Sequence, residues 1–204
     1  MDRNVRFILW IDSVATVLVC PQSEIWIGQS VPTSGTHLSF QATLRRRHAK
    51  LVRDQGSYWL TAEDTTLIRQ DGPWQPCPED GTPLLDGHHL LLGDTVNLHF
   101  SRSNPLTSTA VLRYASNHRT NPRTDYAVLM SEACILGQNS QAHIVISGLN
   151  MATFYYVDGK LHFRCQEPFR CNGVAADASI PISDGDRLES ATFGLTVESI
   201  GASD

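Results

Sequence analysis

Lysine is almost absent from this chain of 204 residues: Lys50 and Lys160 are the only two, and the other fourteen cations are arginines. Arginine's planar fork suits bidentate pairing with carboxylates and other anions, although a genomic base-composition bias would give the same count. Positive charge is not in excess either, since 16 Lys+Arg face 21 Asp+Glu, for a net charge of -5. A nucleic-acid binder presents a basic surface, so nucleic acid is set aside as a partner. No apolar run nears the roughly 18 residues of a membrane helix. The apolar run that Asp12 interrupts near the N-terminus is too short for a secretory signal. The expectation is a cytoplasmic protein with no membrane partner.

The five cysteines (Cys20, Cys77, Cys134, Cys165, Cys171) include no CxxC and no zinc-like Cys/His spacing. They read as free thiols of a reducing compartment, with no metal. A Gly-x-Ser-x-Gly elbow, a phosphate-cradling Gly-rich loop and a His-Glu-x-x-His pair are all missing. The adjacent His88 and His89 point to opposite faces of a strand and cannot share an ion. An enzyme is therefore not expected, nor a cofactor; a hydrolase or metal enzyme would need a convergent site that the sequence does not display. No window of eleven or more residues holds a 3.6-residue apolar period, which removes the helix as a building block.

What is present is a series of short segments rich in Val, Ile, Trp, Tyr and Phe. They run from Val5–Ile11, Val14–Val19 and Glu24–Ile27 through Tyr58–Leu60, Leu90–Phe100 and Ala110–Tyr114. The second half adds Ala127–Met130, His143–Ile146, Phe154–Val157, Leu161–Cys165 and Phe193–Ile200. Gly, Pro, Asp and Ser fill the breaks, so the chain reads as all-β, a sandwich or barrel. With 41% hydrophobic residues it has enough apolar material for one large domain or two small ones.

A repeat favours two. Ile25-Trp26-Ile27-Gly28-Gln29-Ser30, then Leu85-Asp86-Gly87, then Leu92-Gly93-Asp94-Thr95-Val96 stand in the first half. Ile135-Leu136-Gly137-Gln138-Asn139-Ser140, then Cys171-Asn172-Gly173, then Ile182-Ser183-Asp184-Gly185-Asp186 stand in the second. Gly28 to Gly93 is 65 residues and Gly137 to Gly185 is 48, so the first copy carries 17 more, placed in its Pro-rich stretch. The expected division is 1–112 for the first module, 113–124 for a polar linker and 125–204 for the second.

The first copy resembles a forkhead-associated (FHA) domain. The resemblance rests on Gly28-Gln29-Ser30 after an apolar strand, Arg45-Arg46-Arg47-His48-Ala49, Asp80-Gly81-Thr82 with Asp86-Gly87, and Leu92-Gly93-Asp94 before a strand. The second copy is similar to the same family through Gly137, Asn172-Gly173 and Gly185-Asp186, with Asn150-Met151-Ala152 where Arg-x-His-Ala stands in the first. The resemblance implies two FHA-like β-sandwich modules in tandem, with loops at one end that bind phosphothreonine peptides. Gln29 takes the place of the family's phosphate-binding Arg, Arg45 that of its Ser, and Asp80 that of its Asn. Arg45, Arg46 and Arg47 supply three guanidiniums in exchange, and Ser30 and Thr82 complete the candidate phosphopeptide set. Gly28, His48, Gly93 and Asp94 are expected to be structural, with His48 bracing the loop.

The implied partner is a protein or phosphorylated peptide, such as a Ser/Thr kinase substrate. The alternative is a pseudo-FHA scaffold that assembles without phosphate. Nothing in the sequence sets the oligomeric state.

Overall fold

The computed structural model describes residues 1, 5–32, 35–104 and 106–201, and among these the chain forms strands and turns with no helix. The strands of the first half are β1 (Arg6–Ile11), β2 (Ala15–Cys20), β3 (Glu24–Gln29), β4 (Leu38–Phe40), β5 (Ala49–Asp54), β6 (Ser57–Ala62), β7 (Thr66–Arg69), β8 (Gln75–Pro76), β9 (Thr82–Leu84), β10 (His89–Leu92) and β11 (Val96–Ser101). Those of the second are β12 (Ala110–Tyr114), β13 (Tyr126–Leu129), β14 (Ala133–Gly137), β15 (Ile144–Val145), β16 (Ala152–Val157), β17 (Lys160–Cys165), β18 (Phe169–Cys171), β19 (Val174–Ala176), β20 (Ser179–Pro181), β21 (Arg187–Glu189) and β22 (Gly194–Ile200). The protein is all-β.

Two compact units share the chain. A medial unit takes Ser23–Arg102 and Ala110–Tyr126, and a terminal unit takes Met1–Gln22, Ser103–Thr109 and the residues from Ala127 onward. Each is a pair of facing sheets. In the medial unit the order β4-β3-β5-β6-β9 faces β12-β11-β10-β7-β8. Tyr58 of β6 meets Phe100 of β11 edge-on at 5.2 Å, and Phe40 of β4 meets Tyr114 of β12 at the same distance. β11 shows how the sequence dictates this: Val96, Leu98 and Phe100 point inward and are buried, while Asn97, His99 and Ser101 point outward.

In the terminal unit β15-β14-β16-β17-β20 faces β19-β18-β21-β22-β1-β2-β13. Phe7 of β1 packs on Phe154 of β16 at 6.1 Å, and Phe163 of β17 packs edge-on against Phe169 of β18 at 5.2 Å. Each such aromatic contact adds about 0.5–1.5 kcal/mol beyond its area burial.

The two units repeat one topology, because adding eleven to the strand numbers of the first sheet order gives the second, and β11-β10-β7-β8 likewise becomes β22-β21-β18-β19. The place beside β11 is held by β12, and the equivalent place beside β22 is held by β1. The N-terminal hairpin β1–β2 therefore belongs to the unit made from the C-terminal half. This division differs from 1–112, 113–124 and 125–204. The physical reason is the pairing of β1 along its whole length with β22, from Arg6↔Ile200 to Ile11↔Leu195.

The expected linker also has a structural place. Phe40 of β4 bridges to Thr120, Asn121 N–H donates to the Ser39 carbonyl at 3.0 Å, and Gln41 N–H donates to the Arg119 carbonyl at 2.8 Å. Residues 119–121 thus cover the open edge of β4, which would otherwise present unpaired backbone groups.

The register of the repeat shifts by one turn. Gly87 N–H bonds Phe100 O and Gly185 N–H bonds Val197 O, at 3.1 and 2.8 Å. Asp86 Oδ1 accepts from Arg102 N–H at 2.7 Å, and Asp184 Oδ1 accepts from Ser199 N–H at 2.6 Å. Asp86-Gly87 is thus the partner of Asp184-Gly185, while Asn172-Gly173 turns β18 into β19 where Asp71-Gly72 follows β7. All of these turns need a glycine with positive φ, so one dipeptide chemistry serves several turns and spacing alone could not order them.

Candidate functional site

The residues singled out as structural build one end of the medial unit. β4 and β5 are joined by residues 41–48, whose backbone lies on the end of β3: Gln29 N–H donates to Arg45 O at 3.0 Å, and His48 N–H donates to Ile27 O at 2.8 Å. Gly28 has to be glycine, since a Cβ there would stand 2.1 Å from the Arg46 carbonyl oxygen. His48 is buried, and its Nδ1 accepts from Arg45 N–H at 3.3 Å. That leaves the ring proton on Nε2, which donates to the Thr65 carbonyl at 3.0 Å. The same carbonyl accepts Gly93 N–H at 3.0 Å. Gly93 (φ 54°) packs against Leu44 and His48, and Asp94 (φ 59°) turns the chain back into β11. Loop 41–48, the β6–β7 connection and the β10–β11 turn are thereby fixed to one another.

The three arginines diverge from this frame. Arg45 Nε donates to Asp64 Oδ2 at 2.6 Å. The Thr65 N–H first and the Arg45 guanidinium second hold Asp64 below the usual carboxylate range. Arg47 lies over the Trp26 ring at 5.0 Å, with Lys50 Nζ over the same ring at 5.2 Å. Arg46 is exposed, and its side chain has no partner among the described residues. Gln29, whose N–H holds the loop at the Arg45 carbonyl, and Ser30, whose N–H donates to the Phe40 carbonyl at 2.8 Å, are half-buried, and their side chains are also unpartnered among the described residues. The expectation of three guanidiniums facing one ligand becomes one free, one ion-paired and one stacked.

Asp80 stands on a separate turn between β8 and β9, and Thr82 opens β9. Thr82 pairs with Leu60 of β6, and the adjoining Gly81 packs over the Leu60 carbonyl and Thr61. Two residues that the sequence reading passed over are placed at the arginine loop instead. Asp64 faces Arg45, and Arg119 is held next to Gln41 by its carbonyl, with its exposed guanidinium unpaired among the described residues. Neither carries a local signal: Asp64 follows a strand as any turn acid would, and Arg119 lies some seventy residues from the loop it joins.

The terminal unit reproduces the frame without the charge. Gln138 N–H donates to Leu149 O at 2.8 Å, and a Cβ on Gly137 would meet the Asn150 carbonyl at 3.0 Å. Its loop, Ile146-Ser147-Gly148-Leu149-Asn150-Met151, has no cation and no histidine. Glu167, in the position that Asp64 holds, accepts from Ser190 Oγ at 2.6 Å and also from Thr192 Oγ1. A different histidine is shared by both units. His37 Nδ1 accepts from Trp26 N–H at 3.0 Å and His143 Nδ1 from Ile135 N–H at 2.9 Å. His143 is fully buried, and desolvation holds it down at about 4.

The geometry defines a class: an all-β protein of two sandwich units, one of which carries a locked arginine loop with an unpaired guanidinium at its end. No protein-family model matches the chain, and no curated protein matches it. Among solved structures it is similar to Mycobacterium tuberculosis EmbR, described in complex with a low-affinity phosphopeptide, at a TM-score of 0.31 and 13% identity. The likeness covers 48% of this chain and 27% of that one, so the chain spans well under two thirds of its length. Likeness at this level decides neither fold family nor function.

Proposed function

We propose that the protein is an interaction module of two FHA-like sandwiches and that its medial unit reads a phosphothreonine peptide at the end formed by Gln29, Ser30 and Arg46. The observation that supports this most is the locked loop that carries an exposed Arg46 with no partner among the described residues, held on the strand end whose Gln29 and Ser30 side chains are also unpartnered. A dianionic phosphate asks for preorganised charged and neutral donors, and a loop fixed by Gly28, His48 and Gly93 presents them at little ordering cost. Arg119 adds a second unpaired guanidinium at the same end. Asp64 holds Arg45 as a phosphate would, so a ligand must compete with an internal carboxylate. The role is recognition rather than catalysis, in a cell whose Ser/Thr kinase writes the mark.

The test is fluorescence anisotropy with a phosphothreonine peptide library and its unphosphorylated twin. Selective binding that falls by about tenfold or more in Arg46→Ala supports the reading, since a charged hydrogen bond is worth about 1.5–3 kcal/mol. Equal binding of the two libraries contradicts it. That outcome favours the second reading, a phosphate-independent scaffold, for which the Arg45–Asp64 ion pair, the stacking of Arg47 on Trp26 and the uncharged loop of the terminal unit speak.

A further inference from the structure

Across the outward face of the medial sheet β12-β11-β10-β7, four basic side chains stand in one row. Arg69 of β7 is directly opposite His89 of β10, His89 is opposite His99 of β11, and His99 is opposite Arg113 of β12. The two imidazoles stack with ring centres 4.6 Å apart. Each terminal guanidinium lies on an aromatic ring, Arg69 over Trp74 at 4.5 Å and Arg113 over Tyr126 at 5.2 Å.

Each arginine faces a histidine across the sheet, and no acidic residue interrupts the row. Neither arginine has an ion pair among the described residues, and His89 Nδ1 is buried without a hydrogen-bond partner. Asp86, the carboxylate that acts on His99, already accepts the Arg102 N–H. Desolvation first, then the neighbouring His89 and Arg113, hold His99 below the ordinary histidine value against the opposing pull of Asp86, so the fixed charge of the row lies on its two arginines. The row sits at the far end of β10 from Gly93, so it is distinct from the arginine loop.

We infer that this row is a docking site for an acidic, extended segment of a partner protein. Charge complementarity selects the chemistry, and the dimensions select the shape. Strands about 4.8 Å apart place Arg69 about 14 Å from Arg113, and an extended peptide repeats like-facing side chains about every 6.8 Å, so three alternate carboxylates span the row. The row is one residue wide. Beside it Pro76, Leu67 and Leu91 form an apolar row that ends at Asn97. A narrow row with a guanidinium at each end, bordered by leucines, fits a single acidic strand better than a broad anionic surface. The stacked aromatic rings hold the guanidiniums in place, so less side-chain entropy is lost when the segment docks.

The probe is a fluorescein-labelled peptide of alternating Glu and Ser, about nine residues long, titrated into the full chain at low salt, with a Gln-for-Glu peptide and a DNA duplex as comparisons. Binding of the Glu peptide alone is expected, weakened about tenfold or more in Arg69→Gln and again in Arg113→Gln, and unchanged in Arg46→Ala. Salt gives a second test should an arginine variant lose its fold: binding of the Glu peptide to the unaltered chain is expected to weaken as salt is raised, and salt-independent binding would overturn the inference. Absence of binding, loss of binding in Arg46→Ala but not in the row variants, or tighter binding of the duplex through the same arginines would each overturn the inference. Because the row and the loop are read by different variants, failure here leaves the phosphopeptide reading standing, and the reverse also holds.

Discussion

Asp64 is the residue on which the proposed site turns. Its carboxylate neutralises Arg45, so a phosphate that recruits this guanidinium must displace an internal partner. Asp64→Asn is predicted to tighten a phosphothreonine peptide several-fold, measured by anisotropy, with little change in thermal stability because the pair is exposed. Unchanged or weaker binding would mean that Arg45 does not face the ligand. A second residue-scale prediction concerns pH. His143 is neutral in the fold, held at about 4 by burial against an ordinary 6.5. The unfolded chain therefore binds the extra proton, and the stability this group contributes is complete above 6.5 and lost as pH falls toward 4. At about 1.4 kcal/mol per pH unit the loss amounts to about 3 kcal/mol. Urea unfolding between pH 7 and pH 4 should show that decline in the wild type and a shallower one in His143→Gln. At this scale the sequence displayed Arg45, Arg46, Arg47 and His48 because they are contiguous. It hid Asp64 and Arg119 because their relation to the loop exists only after the strands have paired.

The elements that matter most are a loop and a hairpin. Loop 41–48 lies flat on β3 only because Gly28 has no Cβ; Gly28→Ala would push against the Arg46 carbonyl and is expected to cost about 1–3 kcal/mol, as overpacking does. Chemical denaturation measures the loss, and an unperturbed midpoint would contradict the close approach. Strand positions were legible where alternation is clean, as in Val96 to Ser101. Leu90 to Phe100 reads as one apolar segment yet is two strands, because Gly93 and Asp94 reverse the chain. The hairpin β1–β2 was legible as strands but not as part of the terminal unit. Arg6–Ile11 and Ala110–Tyr114 are both apolar and both fit beside a last strand, so composition could not decide which one pairs with β22.

For the whole molecule, the ownership of that hairpin and the uneven charge of the two units give the sharpest expectations. A fragment of residues 125–204 lacks β1, loses the Phe7–Phe154 contact and leaves β22 as an edge. It is predicted to be unfolded by circular dichroism and NMR dispersion, and to fold when residues 1–22 are supplied as a separate peptide; a cooperative unfolding transition of the fragment alone would refute the assignment. The repeat suggests two equivalent sites, whereas the loop of the terminal unit carries no cation and its Glu167 is tied to Ser190 and Thr192. The protein should therefore bind one phosphopeptide per chain. Isothermal titration of the full chain with a phosphothreonine peptide tests this most directly. One site per chain, absent with the unphosphorylated peptide and lost in Arg46→Ala, is the predicted result. Two sites, or heat that does not depend on the phosphate, would contradict the account.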